Sequence, residues 1–300
     1  MNMNAVERAR SALNHTGFRA NHALGQNFLL NAAYLEKIAD LAGVKAGEGV
    51  LEIGAGCGIL TYEMAARGAR VLALEVDRAL GPMLEEVLAD TGARVVMADA
   101  LKCDWKALTA EAFGGEPFCV AANLPYGITT DVLRRIIRGD LPIRRVTLLL
   151  QREAAQRAAA RVGETGYCAL SAQVRAWGAA RILMDVPSSA FTPPPHVESA
   201  VLEIVPWTAE TRPVRPKSEE VFQRTIEAAF AMRRKTLLNN LTRAFGISRE
   251  QAQAVLSSCG IAAGARGEAL GLEELCAIAD ELSEGRLCQP ASPGNGRDGQ

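Results

Sequence analysis

The stretch Val50-Leu51-Glu52-Ile53-Gly54-Ala55-Gly56-Cys57-Gly58 decides the fold of this chain. A short apolar run passes into glycines at alternate positions. That is the pattern of a buried strand entering a tight turn and then a helix, which is predicted to continue to about Arg67. Dinucleotide sites use the spacing Gly-x-Gly-x-x-Gly. Here the spacing is Gly-x-Gly-x-Gly, with Glu52 just ahead of Gly54. A carboxylate there serves a pyrophosphate poorly and an amine-bearing ligand well.

Downstream, short apolar runs alternate with helical stretches. Val71–Leu74, Arg94–Ala98, Phe118–Ala122 and Val146–Leu150 read as strands, and Leu80–Leu88 as a helix. Upstream, Leu35, Ile38, Ala39 and Ala42 mark a helix over Ala32–Ala42. Strands this continuously apolar are buried on both faces, so the fold class is α/β with a doubly wound, mostly parallel sheet. Ile182–Val186 and Ala200–Val205 are predicted to be a final strand pair. The first 25 or so residues read as a turn-rich mobile arm.

Ligands of such sheets bind beyond the carboxyl ends of the strands. Three successive strand ends offer a carboxylate: Glu52 with Gly54 and Gly56, Glu75, and Asp99. Glu75 is placed to accept from ribose hydroxyls, and Asp99 from an adenine amine. Either acid alone could be a helix cap. Together they fit a nucleoside with a cationic amino-acid tail, and S-adenosylmethionine is such a ligand.

The fourth strand runs directly into Asn123-Leu124-Pro125-Tyr126. The lone pair of an aromatic amine is delocalised into its ring, so the amine is a poor nucleophile. Two acceptors that hold its hydrogens favour a pyramidal nitrogen. The Asn123 side-chain oxygen is one. The carbonyl of Leu124 is the other, its turn restricted by Pro125. Tyr126 offers a stacking face for a base that has left its helix or was single-stranded. The competing reading is an Asx-type turn with a core tyrosine. Phe191, in Phe191-Thr192-Pro193-Pro194-Pro195, is expected to close over the other face of the base, the alternative being simple loop packing.

The 300 residues are 49% apolar and 22% charged, ordinary for a globular protein of one or two domains. No apolar run reaches membrane-spanning length and no signal-peptide pattern is present, so a cytoplasmic protein with no membrane partner is expected. The net charge of −1 hides a local excess of cations. Arg134 to Arg161 holds eight arginines, Arg134, Arg135 and Arg152 among them, against Asp140 and Glu153. Arg233-Arg234-Lys235 is a second cluster. Each alone reads as a solvated helix face; together they suggest a phosphate-binding surface. Seven cysteines without a Cys-x-x-Cys pair, and three histidines without ligand spacing, suggest neither a disulfide framework nor a metal site.

Composition shifts near Pro206, and residues 206–216 read as a linker. Helices are predicted over Ser218–Ala231, Lys235–Phe245, Ser248–Ser257 and Leu272–Leu282. The expected organisation is thus a mobile arm over 1–25, a methyl-transfer domain over 26–206, a smaller all-helical domain over 207–285 whose basic cluster is expected to bind RNA, and a disordered tail over 286–300.

These residues resemble the ribosomal RNA adenine N6,N6-dimethyltransferases, above all the bacterial enzymes acting on two adjacent adenines near the 3′ end of 16S ribosomal RNA. The similarity spans about residues 20–285. It is carried by Leu24-Gly25-Gln26-Asn27-Phe28-Leu29, Glu52–Thr61, Glu75-Val76-Asp77, Asp99-Ala100, Asn123-Leu124-Pro125-Tyr126, Leu150-Gln151-Arg152-Glu153, Phe191–Val201 and Ala229–Leu237. The resemblance implies a Rossmann-like class I methyltransferase with a helical C-terminal domain. It adds Asn27 and Leu29 at the methionine end of the cofactor, and it implies that Asn123 serves both ligands. The partner it implies is 16S ribosomal RNA within the small subunit or its precursor, and a monomer is expected. The family often has basic residues just before the Gly-Gln-Asn-Phe-Leu stretch, where this chain has Asn21-His22-Ala23-Leu24. Three alternatives compete with this reading. They are a 23S ribosomal RNA adenine methyltransferase of the macrolide-resistance type, a non-catalytic RNA-binding assembly factor, and a nicotinamide oxidoreductase.

Overall fold

The structure is a computed structural model that describes residues 3–18 and 25–284. The tail expected over 286–300 lies outside the described residues. The chain divides into two compact units. One holds the chain up to Ala159 together with Trp177–Glu210; the other holds Ala160–Ala176 and the chain from Thr211.

The first unit is built on a seven-stranded sheet. Its strands are β1 (Gly49–Ile53), β2 (Arg70–Glu75), β3 (Arg94–Met97), β4 (Phe118–Asn123), β5 (Ile143–Gln151), β6 (Gly178–Val186) and β7 (Ser199–Pro206), in the order β3-β2-β1-β4-β5-β7-β6. The first five pair in parallel and β7 pairs antiparallel with both β5 and β6. Every residue of β1 is buried, as expected for a central strand covered on both faces by helices. Helices α2 (Ala32–Ala42), α3 (Ile59–Ala66), α4 (Gly81–Leu88), α5 (Trp105–Phe113), α6 (Thr129–Arg138) and α7 (Arg152–Ala159) belong to this unit. The strand order reverses between β1 and β4, which opens a crevice at their carboxyl ends. Gly54 follows one of these strands, and Asn123 ends the other.

One expectation is overturned at the start of the chain. The described part of the supposed mobile arm forms helix α1 (Ala5–Thr16), closed by a capping box between Asn4 and Glu7 and by a left-handed Gly17. Its buried face is Ala5, Val6, Ala9 and Ala12, packed against α3 and α4. Small alanines carry this burial, so the segment looks polar when read by residue type.

The second unit contains α8 (Ala169–Trp177) except for its last residue, with α9 (Glu219–Ala231), α10 (Leu237–Phe245), α11 (Arg249–Ser258) and α12 (Leu272–Glu284). Its core is Phe222, Ile226, Leu237, Leu241, Leu256, Leu275 and Ile278. Residues 160–176, expected in the sheet domain, belong here instead. Tyr167 donates to the Leu270 carbonyl at 3.0 Å, and Gln173 donates to Glu227 at 3.2 Å.

Candidate active site

The crevice beside Gly54 and Asn123 is a cavity of about 500 Å³. The twelve residues expected at the cofactor and the base all line it: Asn27, Leu29, Glu52, Gly54, Gly56, Glu75, Asp99, Asn123, Leu124, Pro125, Tyr126 and Phe191. Gln26, Phe28, Val76, Leu101 and Ile128 line it as well, although nothing in their chemistry singled them out.

The glycine turn has a left-handed backbone at Gly54 (φ 78°) and Gly56 (φ 55°), which side-chain-bearing residues rarely adopt. The amides of Gly54 and Ala55 donate to the Leu74 carbonyl at 2.8 and 3.1 Å, tying the turn to β2. Glu75 completes the tie. One carboxylate oxygen accepts from the Gly56 amide at 2.8 Å, and the other accepts from the amides of Val76 and Asp77 at 2.9 and 2.8 Å. Glu75 therefore shapes the turn before it meets any ligand. Three bonds leave a carboxylate further acceptor capacity, so a hydroxyl can still be received. It is not a helix cap; Asp77 is the residue that caps, accepting from the Ala79 amide at 3.0 Å.

Glu52 is 1% exposed, and the Thr61 hydroxyl donates to it at 2.5 Å. Burial pushes its carboxyl up to about 8, against which the Thr61 bond works in the opposite direction. The group therefore holds its proton to higher pH than an ordinary carboxyl. Cys57 lines the same cavity, and burial pushes its thiol up to about 12, which makes it an inert wall. Asp99 lies in the turn beyond β3, whose last residue is Met97, rather than at the strand end itself. The Leu101 amide donates to Asp99 at 2.9 Å and holds its carboxyl below the usual range.

Asn123 is the last residue of β4 and its side-chain amide is oriented by a distant segment. Its Nδ2 donates to the Asn27 carbonyl at 3.3 Å, and Asn27 Nδ2 donates to the Gly25 carbonyl at 3.1 Å. That bond uses one amide hydrogen of Asn123 and sets which way the amide faces, leaving its oxygen available as an acceptor. The following turn is fixed by the Leu124 amide donating to Leu149 at 3.1 Å and the Ile128 amide donating to Pro125 at 3.3 Å. Tyr126 is partly buried, which pushes its phenol up, with the Ser199 side chain acting in the opposite direction. Ser199 is buried at the start of β7, a strand remote in sequence. Phe191 is 4% exposed within the core and forms part of the wall. Phe28 and Thr192 exchange backbone bonds at 3.0 and 2.8 Å, holding the two flanking segments together.

The cationic candidates divide. Arg134 is exposed on α6. Arg135 is turned inward, its guanidinium donating to the carbonyls of Leu101 and Cys103, so it is not presented to RNA as expected. Arg152 is paired with Glu198 at 2.8 Å and Asp185 at 3.4 Å, which offsets the charge assigned to a phosphate. Arg233, Arg234 and Lys235 are all exposed in the turn between α9 and α10, with Glu268 3.7 Å from Arg233. Among the described residues, no helix is long and apolar enough to cross a membrane.

Comparisons with known proteins identify the family. The family described as ribosomal RNA adenine dimethylase matches residues 17–284. A protein of Geobacillus sp. (strain WCH70) named ribosomal RNA small subunit methyltransferase A is 38% identical over 280 residues, covering 92% of this chain and 96% of that one. A protein of the same name from Bacillus licheniformis is 37% identical over 283 residues, with 92% and 96% covered. Among solved structures, a dimethyladenosine transferase from Plasmodium falciparum matches with a TM-score of 0.71 at 21% identity, over 85% of this chain and 96% of that one, a likeness of fold. The 23S rRNA methyltransferase ErmE matches with a TM-score of 0.64 at 26% identity, over 86% of this chain and all of that one. With a family match over nearly its whole described length and relatives above a third identical, this chain belongs to the ribosomal RNA adenine dimethylase family.

Proposed function

We propose that the protein transfers methyl groups from S-adenosylmethionine to N6 of two adjacent adenines near the 3′ end of 16S ribosomal RNA, giving N6,N6-dimethyladenosines during small-subunit biogenesis in the cytoplasm, and that it acts as a monomer. One observation carries this reading. Asn123 lines the cavity with its side-chain amide donating to the Asn27 carbonyl, together with the acids that suit an amino-acid-bearing nucleoside.

The donor set fits the cofactor. Glu52 and the Asn27–Leu29 segment suit the methionine end, Glu75 beside Gly54 and Gly56 suits the ribose, and Asp99 suits the adenine amine. When bound, S-adenosylmethionine supplies an electrophilic methyl group on sulfur. The protein's part is alignment. The Asn123 oxygen and the Leu124 carbonyl each accept one hydrogen of the target amine, which localises the nitrogen lone pair toward the donor. Tyr126 and Phe191 sandwich the flipped base and exclude water. The proton is released after methyl transfer, so no strongly basic side chain is required, and positioning supplies most of the acceleration. Arg134 and the Arg233-Arg234-Lys235 turn meet RNA phosphates.

A second reading draws on ErmE, whose fold and 26% identity cover that entire chain: methylation of 23S ribosomal RNA. The two separate in one experiment. The protein is incubated with labelled S-adenosylmethionine and either 30S particles from a methylation-deficient strain or 23S RNA, and modified adenines are mapped by mass. Two adjacent dimethyladenosines in 16S RNA are expected. Label confined to 23S RNA would overturn the small-subunit reading, and label in neither would favour a non-catalytic assembly role.

A further inference from the structure

Arg134 and Arg135 are neighbours on α6 and read alike in the sequence, but only Arg134 is exposed. One terminal nitrogen of Arg135 donates to the Leu101 carbonyl and the other to the Cys103 carbonyl. The guanidinium lies over the Trp105 ring at 4.8 Å from its centre. Trp105 is itself buried and donates its indole N–H to the Ala100 carbonyl at 2.8 Å. Two side chains from outside the turn therefore satisfy three of its carbonyls. The turn closes on Asp99 from the other direction. The amides of Lys102 and Cys103 donate to the Asp99 carbonyl at 2.9 and 3.0 Å, and the Leu101 amide donates to its side chain at 2.9 Å. The residues of this stretch that line the cavity are Ala98, Asp99, Ala100 and Leu101.

We infer that Arg135 is a positioning residue for the cofactor's purine. By fixing the turn after β3, it aims the Asp99 carboxylate at the exocyclic amine and so sets the preference for adenine over a 6-oxopurine. This rests on the proposed role of Asp99. A planar fork with two parallel donors and a stacking face matches two carbonyls and an indole at once, which a lysine ammonium cannot do. To reach an RNA phosphate, Arg135 would have to leave two charge-assisted bonds and its ring contact, stranding partly buried carbonyls. A carboxylate aimed at position 6 accepts from an amine and repels a carbonyl oxygen there, which is the kind of polar mismatch that discriminates strongly.

The test is calorimetry on the full chain with S-adenosylhomocysteine and its inosine counterpart, S-inosylhomocysteine. In Arg135→Met, affinity for the adenosine ligand is expected to fall about tenfold while that for the inosine ligand changes less than about twofold, so the preference for adenine collapses. Arg135→Lys should recover part of it, and Arg134→Met should leave both affinities alone. At saturating cofactor, kcat and the KM for 30S particles should stay within about twofold of wild type in Arg135→Met, whereas an RNA contact would raise that KM. Asp99→Asn should lose the preference irrespective of Arg135. Full preference retained in Arg135→Met, with Asp99→Asn having lost it, overturns the role of Arg135. Preference retained in Asp99→Asn as well overturns the reading of Asp99 itself. Should Arg135→Met not fold, Arg135→Lys carries the test, and equal weakening of both ligands there would reduce Arg135 to general support of the fold.

Discussion

Replacing Glu52 with glutamine should make the ligand-free protein more stable at pH 8 than the wild type, and little different at pH 5. In the folded chain the carboxyl is buried, with its pKa pushed up to about 8 from the ordinary 4.5. Below 4.5 it is protonated whether the chain is folded or not, and contributes no penalty. Between 4.5 and 8 the unfolded chain has released a proton that the folded chain retains, so stability falls as pH rises. The slope approaches about 1.4 kcal/mol per pH unit, or roughly 4 kcal/mol lost between pH 5 and pH 8. Glutamine keeps an oxygen for the Thr61 hydroxyl but cannot ionise, so this loss vanishes. Urea unfolding followed by tryptophan fluorescence is the assay. Trp105, Trp177 and Trp207 are the only three tryptophans and all lie in the first unit, so the signal reports the unit that holds Glu52. The difference between wild type and Glu52→Gln, taken at each pH, removes every other titrating group. A ligand ammonium group favours the ionised carboxylate, so S-adenosylhomocysteine, through its amino group, should bind the wild type more tightly as pH rises from 6 to 8, and bind Glu52→Gln with a flatter profile. Parallel stability curves for the two proteins would refute a neutral buried Glu52.

Asn123→Ala should lower kcat by roughly two to three orders of magnitude, the loss typical when a placed polar group leaves a transition state. Label transfer to 30S particles measures it, and an unchanged rate removes Asn123 from the chemistry. Glu75→Ala should weaken S-adenosylhomocysteine binding by roughly 1–3 kcal/mol, because it frees the Gly56 amide as well as a hydroxyl acceptor; an unchanged dissociation constant contradicts both roles. Charge reversal at Arg233 and Arg234 should flatten the salt dependence of RNA binding by about two units of log–log slope with cofactor affinity unaltered, and equal slopes would return that turn to being a solvated surface.

The sheet was legible because Val50–Ile53, broken only by Glu52, and its neighbours are nearly continuously apolar, the pattern of strands covered on both faces. The site was legible because its acids and Asn123 sit at positions where open sheets expose strand ends. What escaped was carried by contacts distant in sequence. Helix α1 buries alanines, whose hydrophobicity is slight, against α3 and α4. Residues 160–176 join the second unit through partners such as Leu270 and Glu227, some 50 to 100 positions away. Arg135 and Arg152 are indistinguishable from solvated arginines until the Leu101 carbonyl, Asp185 and Glu198 are seen beside them. The neutral Glu52 required knowing the depth of its burial, which no local pattern contains.

The paired bonds between Phe28 and Thr192 have a consequence for synthesis on the ribosome. A growing chain that has not yet reached Thr192 has the glycine turn, all three acids and Asn123, but lacks the paired backbone bonds that Thr192 makes with Phe28, between Asn27 and Leu29. The Asn27 carbonyl that anchors Asn123 belongs to that segment, so Asn123 is then less firmly oriented. A truncated nascent chain can thus carry every strand of the parallel part of the sheet before its site is fully braced. The bracing is completed late, when the segment before the final antiparallel strand is delivered and the first part of the domain is clasped by the last.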